Sequence, residues 1–305
     1  EIAINQLAPR PQSVWGPSEQ QLGRGFAGLP IDNTGVQYGL ESLRQGQITP
    51  AQFADLNEKI GGLDIDINQV PGRNVADKPA LANAYRSGLI NETNNYDETA
   101  IIDCRGSDEG LAHDAYRSFA VRDRLDREHG THANQLIWEG PVPLGADINC
   151  SQDSLEAMDR WLTAVMADES NKPLAQKIIS DKPGDLSDRC YSGVGVKLSD
   201  TLCPAGVVNV YGTPRTVAGE AQTTDANKCQ LKPLQQSDDS ASFTAGQWST
   251  LQGVFPGGVC DYSKPGVDQQ GTIPWQTYQT NKGKVIYGGK PLGKPPKSKA
   301  IKRKR

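Results

Sequence analysis

Thr99-Ala-Ile-Ile-Asp-Cys-Arg-Gly106 and, further along, Gln135-Leu-Ile-Trp138 carry the clearest structural signal in the chain. Each is a short run dominated by β-branched or large apolar residues and bounded by polar loops, which is the pattern of a strand and too short for a helix. Between them, Asp114 to Leu125 sets Tyr116, Phe119, Ala120 and Leu125 among arginines and aspartates, as an amphipathic helix does, and Gly130 supplies a stop. Strand, loop, helix and strand in this order predict a βαβ unit with a parallel sheet. A ligand site is then expected at the strand carboxyl ends, here the loop from Cys104 to His113.

Upstream, residues 1–30 carry Pro9, Pro11, Pro17 and Pro30 and read as an extended lead-in. Asp32 to Leu43 predicts a helix with Val36, Leu40 and Leu43 on one stripe. Thr49-Pro50 then predicts a capped helix presenting Phe53, Leu56 and Ile60. The alternation in Leu63-Asp-Ile-Asp-Ile67 predicts a half-buried strand, and Lys78 to Arg86 a further helix ending at Gly88. Downstream, Ser154 is the expected cap of a helix whose Leu155, Met158, Leu162 and Val165 face the core. The α/β portion is thus expected over residues 31–172. Residues 173–280, rich in Pro, Gly, Asp and Ser, are expected to form a loop-rich region stapled by disulfides.

The six cysteines, Cys104, Cys150, Cys190, Cys203, Cys229 and Cys260, contain no CxxC pair and no neighbouring histidine placed for zinc. Disulfides are therefore expected, and with them an oxidising compartment, secreted or periplasmic. Spacing leaves the pairing open, although Cys190 with Cys203 and Cys229 with Cys260 close the shortest loops. Glu1-Ile-Ala-Ile-Asn5 lacks the regions of a signal peptide, so a signal is expected to have been removed, or the chain to be an internal fragment. No apolar run is long enough to span a bilayer.

Ten of the 32 Lys and Arg residues lie between Asn281 and Arg305, where there is no acid. Residues 1–280 therefore carry 22 basic against all 36 acidic side chains, a net of −14. An acidic body repels phosphates, which argues against nucleic acid as its partner. The basic end, residues 281–305, is expected to be a disordered tail.

All three histidines, His113, His129 and His132, lie close together in sequence. His113 follows Asp103 and Asp108 in the loop after a strand, where a carboxylate can orient an imidazole for proton transfer. His129 and His132 flank a helix end, where an imidazolium favours the helix dipole. No GxSxG elbow is present; Ser192-Gly-Val-Gly195 lacks the spacing. Asp64-Ile-Asp-Ile-Asn68 begins like a calcium loop but has Gln69 and Val75 where Gly and Glu are required. Gly288-Gly-Lys-Pro-Leu-Gly-Lys294 is followed by Pro295 in place of Ser or Thr, so it is no phosphate loop. Neither a metal nor a cofactor is expected.

Several phrases together resemble the C-terminal part of an uncharacterised bacterial exported family related to tannase and feruloyl-esterase-like α/β hydrolases. They are Asp32-Asn-Thr-Gly-Val-Gln-Tyr-Gly-Leu40, Asp55-Leu-Asn-Glu-Lys-Ile-Gly-Gly-Leu-Asp64, Ala100-Ile-Ile-Asp-Cys-Arg105, His113-Asp-Ala-Tyr-Arg-Ser-Phe119, Lys228-Cys-Gln-Leu-Lys-Pro233 and Phe255-Pro-Gly-Gly-Val-Cys-Asp-Tyr-Ser-Lys-Pro-Gly-Val267. The resemblance implies part of an α/β-hydrolase-like, mostly parallel sheet and a serine hydrolase acting on ester or related acyl bonds. Its serine would lie in an upstream segment of the same polypeptide. It further implies Asp103 or Asp108 as acid, His113 as base and Arg105 as a ligand contact. No histidine follows the second strand, where such hydrolases place theirs. The competing expectation is a non-enzymatic extracellular binding or structural protein whose basic tail binds anions.

Overall fold

The computed structural model describes residues 12–15, 17–25, 28–107, 113–236, 242–273, 278–280, 282 and 284–287. Its centre is a four-stranded sheet built from β3 (Ile101–Arg105), β4 (Gln135–Glu139), β5 (Arg189–Tyr191) and β6 (Lys197–Ser199), in that spatial order. The first three strands are parallel and β6 is antiparallel to β5. The described residues also form three small antiparallel pairs: β1 (Gly62–Leu63) with β2 (Gln69–Val70), β7 (Leu231–Lys232) with β8 (Val259–Cys260), and β9 (Tyr278–Gln279) with β10 (Val285–Tyr287). The helices are α1 (Pro17–Leu22), α2 (Leu40–Arg44), α3 (Pro50–Lys59), α4 (Lys78–Arg86), α5 (Tyr116–His129), α6 (Cys150–Ala167), α7 (Leu174–Ser180) and α8 (Ala245–Val254). The molecule is therefore a mixed α/β protein with a mostly parallel sheet.

The expected βαβ unit is β3–α5–β4, and the two faces of its sheet are chemically unlike. Ile102 and Cys104 of β3 pack with Leu136 and Trp138 of β4, and with Cys150, Ala157, Trp161 and Val165 of α6, in the largest apolar cluster. Asp103, Arg105 and Gln135 project to the other face and bond to α5, whose inner side carries Ser118 and Arg122. Arg122 makes a bidentate pair with Asp188 at 2.8 Å, and Asp188 also accepts the Ile137 amide at 2.8 Å. A polar layer between helix and sheet is tolerated because its members satisfy one another.

A second core forms where α3 meets α8, with Leu40, Leu43, Phe53, Ala54, Leu251, Phe255 and Val259. Thr49 and Gln52 form a capping box at the start of α3, and Thr244 and Gln247 do the same for α8. Such caps contribute about 1 kcal/mol each.

Four local expectations are corrected. The helix expected from Asp32 begins only at Leu40, because the Asp32 carboxylate holds the amide and hydroxyl of Thr34 in a turn and Gly39 is left-handed at φ 81°. The strand expected through Ile67 is instead the hairpin β1–β2. Asp64 accepts the amides of Asp66 and Asn68, drawing the backbone into a turn in place of a ladder. The helix expected from Ser154 begins at Cys150, so its core stripe is Cys150, Ala157, Trp161 and Val165, while Leu155 and Leu162 face outward. Leu56 of α3 is also exposed; Phe53, Ala54 and Asn57 are the buried residues.

Strands β5 and β6, from the region expected to be loop-rich, complete the central sheet. Within the expected tail, Val285–Tyr287 forms β10; residues 288–305 lie outside those described. All six cysteines are bridged, Cys104–Cys150, Cys190–Cys203 and Cys229–Cys260, so both short-loop pairs form. Among the described residues no helix is long and apolar enough to cross a membrane.

Candidate functional site

The carboxyl ends of β3 and β4 lie side by side, with Arg105 paired in register to Glu139. Three features hold this corner in place. The Cys104–Cys150 bridge ties the end of β3 to the first turn of α6. Gly106 runs so close to the next loop that a Cβ there would sit 1.8 Å from the Val142 carbonyl oxygen. The carboxylate of Asp147 accepts the amides of Asn149 and Gly195, each at 3.0 Å, closing the turn after β4.

Arg105 is the hub of the corner. Its Nε donates to Ser118 Oγ at 2.7 Å, one Nη to the main-chain carbonyl of His113 at 3.0 Å, and the other Nη reaches Asp103 Oδ1 at 3.4 Å. Ser118 donates its own proton to Asp103 Oδ2, so Asp103, Arg105 and Ser118 close a ring. His113 is exposed, in the segment leading into α5. The structure thus brings Asp103, Arg105 and the main chain of His113 together, with the Asp103 carboxylate bonded to Ser118 and Arg105. Asp108 falls outside the described residues.

Two residues of the corner were not singled out from the sequence. Ser118 looks like any helix serine, and only its i, i+4, i+7 spacing with Arg122 and Leu125 marks it as lying on the inner face. Glu139 ends β4, is 3% exposed and accepts the Cys203 amide at 2.8 Å. Burial pushes its carboxyl above the ordinary range, against the opposing effect of that amide. The other histidines bond to groups outside this corner: His129 Nε2 meets the Thr93 carbonyl at 2.9 Å and His132 Nδ1 meets Asp126 at 2.9 Å. Among the described residues no group of three or more His, Cys, Asp or Glu side chains is placed to hold a metal ion.

Beside this corner, the outer face of α5 borders a cleft of about 780 Å³, reached by Tyr116, Arg117, Val121 and Arg124. Behind the C-terminal half of the same helix lies a second cavity of about 560 Å³, lined by Glu92, Arg127, Glu220 and Tyr262.

The chain is thus a disulfide-bearing α/β protein with a polar hub at the carboxyl ends of parallel strands. The chain belongs to the tannase-like family of unknown function (DUF6351), whose family model matches residues 6–271. No curated protein and no solved structure matches it.

Proposed function

We propose that this chain is the C-terminal portion of a secreted serine hydrolase acting on ester or related acyl bonds. On this reading it supplies the acid and the histidine of a triad whose serine lies in an upstream segment. The observation that carries the reading is the grip of Arg105 on the His113 carbonyl, which ties the loop bearing Asp108 and His113 to the end of a parallel strand. In open α/β sheets that is where ligands bind. Membership of a tannase-like family supports esterase-type chemistry. Among the described residues no strand pairs with the outer edge of β3, an edge that a strand of the proposed upstream segment would extend.

Asp103 is already committed to Arg105 and Ser118, so the acid of the triad is assigned to Asp108, with Asp103 and Arg105 positioning the loop. Arg105 then acts through His113 and not as a direct ligand contact. His113 takes the serine proton as the oxygen attacks the acyl carbon, and returns it to the departing alcohol. Water repeats the sequence to free the acid. Secretion fits three disulfides, which persist in oxidising compartments. The test is turnover of p-nitrophenyl acetate by the complete polypeptide. His113→Ala is expected to lower kcat by about a thousandfold or more, as loss of a triad member does, and normal turnover would refute the assignment.

A further inference from the structure

The cleft on the outer face of α5 is electrostatically opposite to the body that contains it. Residues 1–280 carry a large negative excess, yet among the described residues the cleft is lined by three arginines, Arg117, Arg124 and Arg215, and by a single carboxylate, Asp32. Asp32 is already paired with Lys228 and also accepts the Ala76 amide, so it is spent as a counter-charge. Arg215 is held by the main-chain carbonyls of Asp32, Ala226 and Asn227, and among the described residues it makes no ion pair. Carbonyl partners fix a guanidinium in place without cancelling its charge.

Glu220 also interacts electrostatically with Arg215, and its Oε1 accepts the Ala226 amide. Burial pushes its pKa up to about 7, so near neutrality it is only a partial counter-charge to Arg215. Arg124 likewise donates to the carbonyls of Asn91, Thr223 and Thr224, but it also pairs with Asp225 at 3.8 Å, a carboxylate that it shares with Arg127.

The remaining wall is largely apolar: Ile31, Tyr38, Ile60, Leu89, Ile90 and Val121 come from five separate stretches of chain. A cleft of this size with an apolar lining and a few fixed polar groups has the make-up of a small-molecule site. We propose that it binds an apolar organic anion, a carboxylate on an aliphatic or aromatic body, with the acid group at Arg215 and the body against Tyr38 and Val121. This goes beyond the hydrolase reading, because binding here requires no serine and no upstream segment.

The test uses the 305-residue chain and two fluorescent probes of nearly the same shape, 1-anilinonaphthalene-8-sulfonate and the uncharged N-phenyl-1-naphthylamine. The sulfonate is expected to bind saturably at one site, about tenfold or more tighter than the neutral dye, as a charge-assisted hydrogen bond provides. Octanoate should displace it. Arg215→Gln should erase the preference for the anion while leaving the neutral dye unaffected. Val121→Trp, which fills the cleft without touching the charge, should weaken both dyes by a similar factor; this variant and the dye ratio of the unmodified chain decide the matter if Arg215→Gln does not fold. Equal affinity for the two dyes, failure of octanoate to compete, or full binding by Val121→Trp would each overturn the proposal.

Discussion

Arg105 donates a hydrogen bond of 3.0 Å to the main-chain carbonyl of His113, so the end of a half-buried parallel strand sets where the segment leading into α5 stands. The same guanidinium holds Ser118, four turns' worth of helix being anchored to the sheet through one side chain and its neighbours Arg122 and Gln135. Loss of this hub is expected to be felt twice, in stability and in the placement of His113.

Arg105→Gln removes the hub while leaving Asp103 and Ser118, which are only 25% and 1% exposed, to find other partners. Unfolding in guanidinium chloride should show a loss of about 2–3 kcal/mol, the cost of stranding groups that bonded to a charge. Arg105→Lys should recover little of it, since an ammonium does not reproduce the fork. A stability equal to that of the unmodified chain would show that the ring of Asp103, Arg105 and Ser118 carries no weight.

Gly106 is required by proximity, because its Cβ would overlap the Val142 carbonyl oxygen. Gly106→Ala is therefore expected to destabilise by about 3 kcal/mol or more, as forced backbone shifts do. The same change at Gly72, which meets nothing within 4 Å, should cost much less. Thermal melting of the two variants side by side checks the contrast.

Glu220 gives a pH dependence whose sign is fixed. Its ordinary value of 4.5 is raised to about 7 in the folded chain, by burial first and by Asp225 as a like charge, against Arg215 and the Ala226 amide. Between those two values the unfolded chain has lost the proton that the folded chain keeps, so the contribution of Glu220 is full below about pH 4.5 and is lost as pH rises to about 7. Its size is about 3 kcal/mol at most. Stability measured from pH 5 to pH 8 should fall less steeply in Glu220→Gln, and an unchanged slope would rule out this residue as a source.

Replacing both Cys104 and Cys150 by alanine opens a loop with a sequence separation of 46. A cross-link of that span contributes about 4 kcal/mol, chiefly by restricting the unfolded chain. The double variant should lose close to that amount under oxidising conditions, and should differ little from the parent once both are fully reduced.

The parts of this molecule that were legible in sequence are those governed by short-range physics. Thr49 and Pro50 mark the start of α3 because a cap and a fixed φ act within one turn, and Gly130 marks the end of α5 in a left-handed conformation at φ 71°. The runs Ile101–Arg105 and Gln135–Glu139 declare themselves because each is a short cluster of β-branched or large apolar residues bounded by polar loops, too short for a helix. What was not legible depends on distant partners. Asp32 looks like a helix starter until its carboxylate meets Thr34, Ala76 and Lys228. Leu155 looks like core until the bridge from Cys104 sets where α6 begins and how it is rotated. At the site, Asp103 and His113 could be named from their order after a strand. That Asp103 would be bonded by Arg105 and Ser118 could not, because Ser118 reaches it only through the packing of α5. The cleft was invisible, since its walls are five segments with no common motif.

The proposed membership of His113 in a serine triad completed by an upstream segment can be checked by labelling the complete polypeptide with a fluorophosphonate probe and locating the adduct by peptide mass spectrometry. The expected result is stoichiometric labelling of a single serine upstream of Glu1, abolished by His113→Ala, with the cleft probes still binding. Absence of any adduct on the folded polypeptide, or undiminished labelling of His113→Ala, would contradict it.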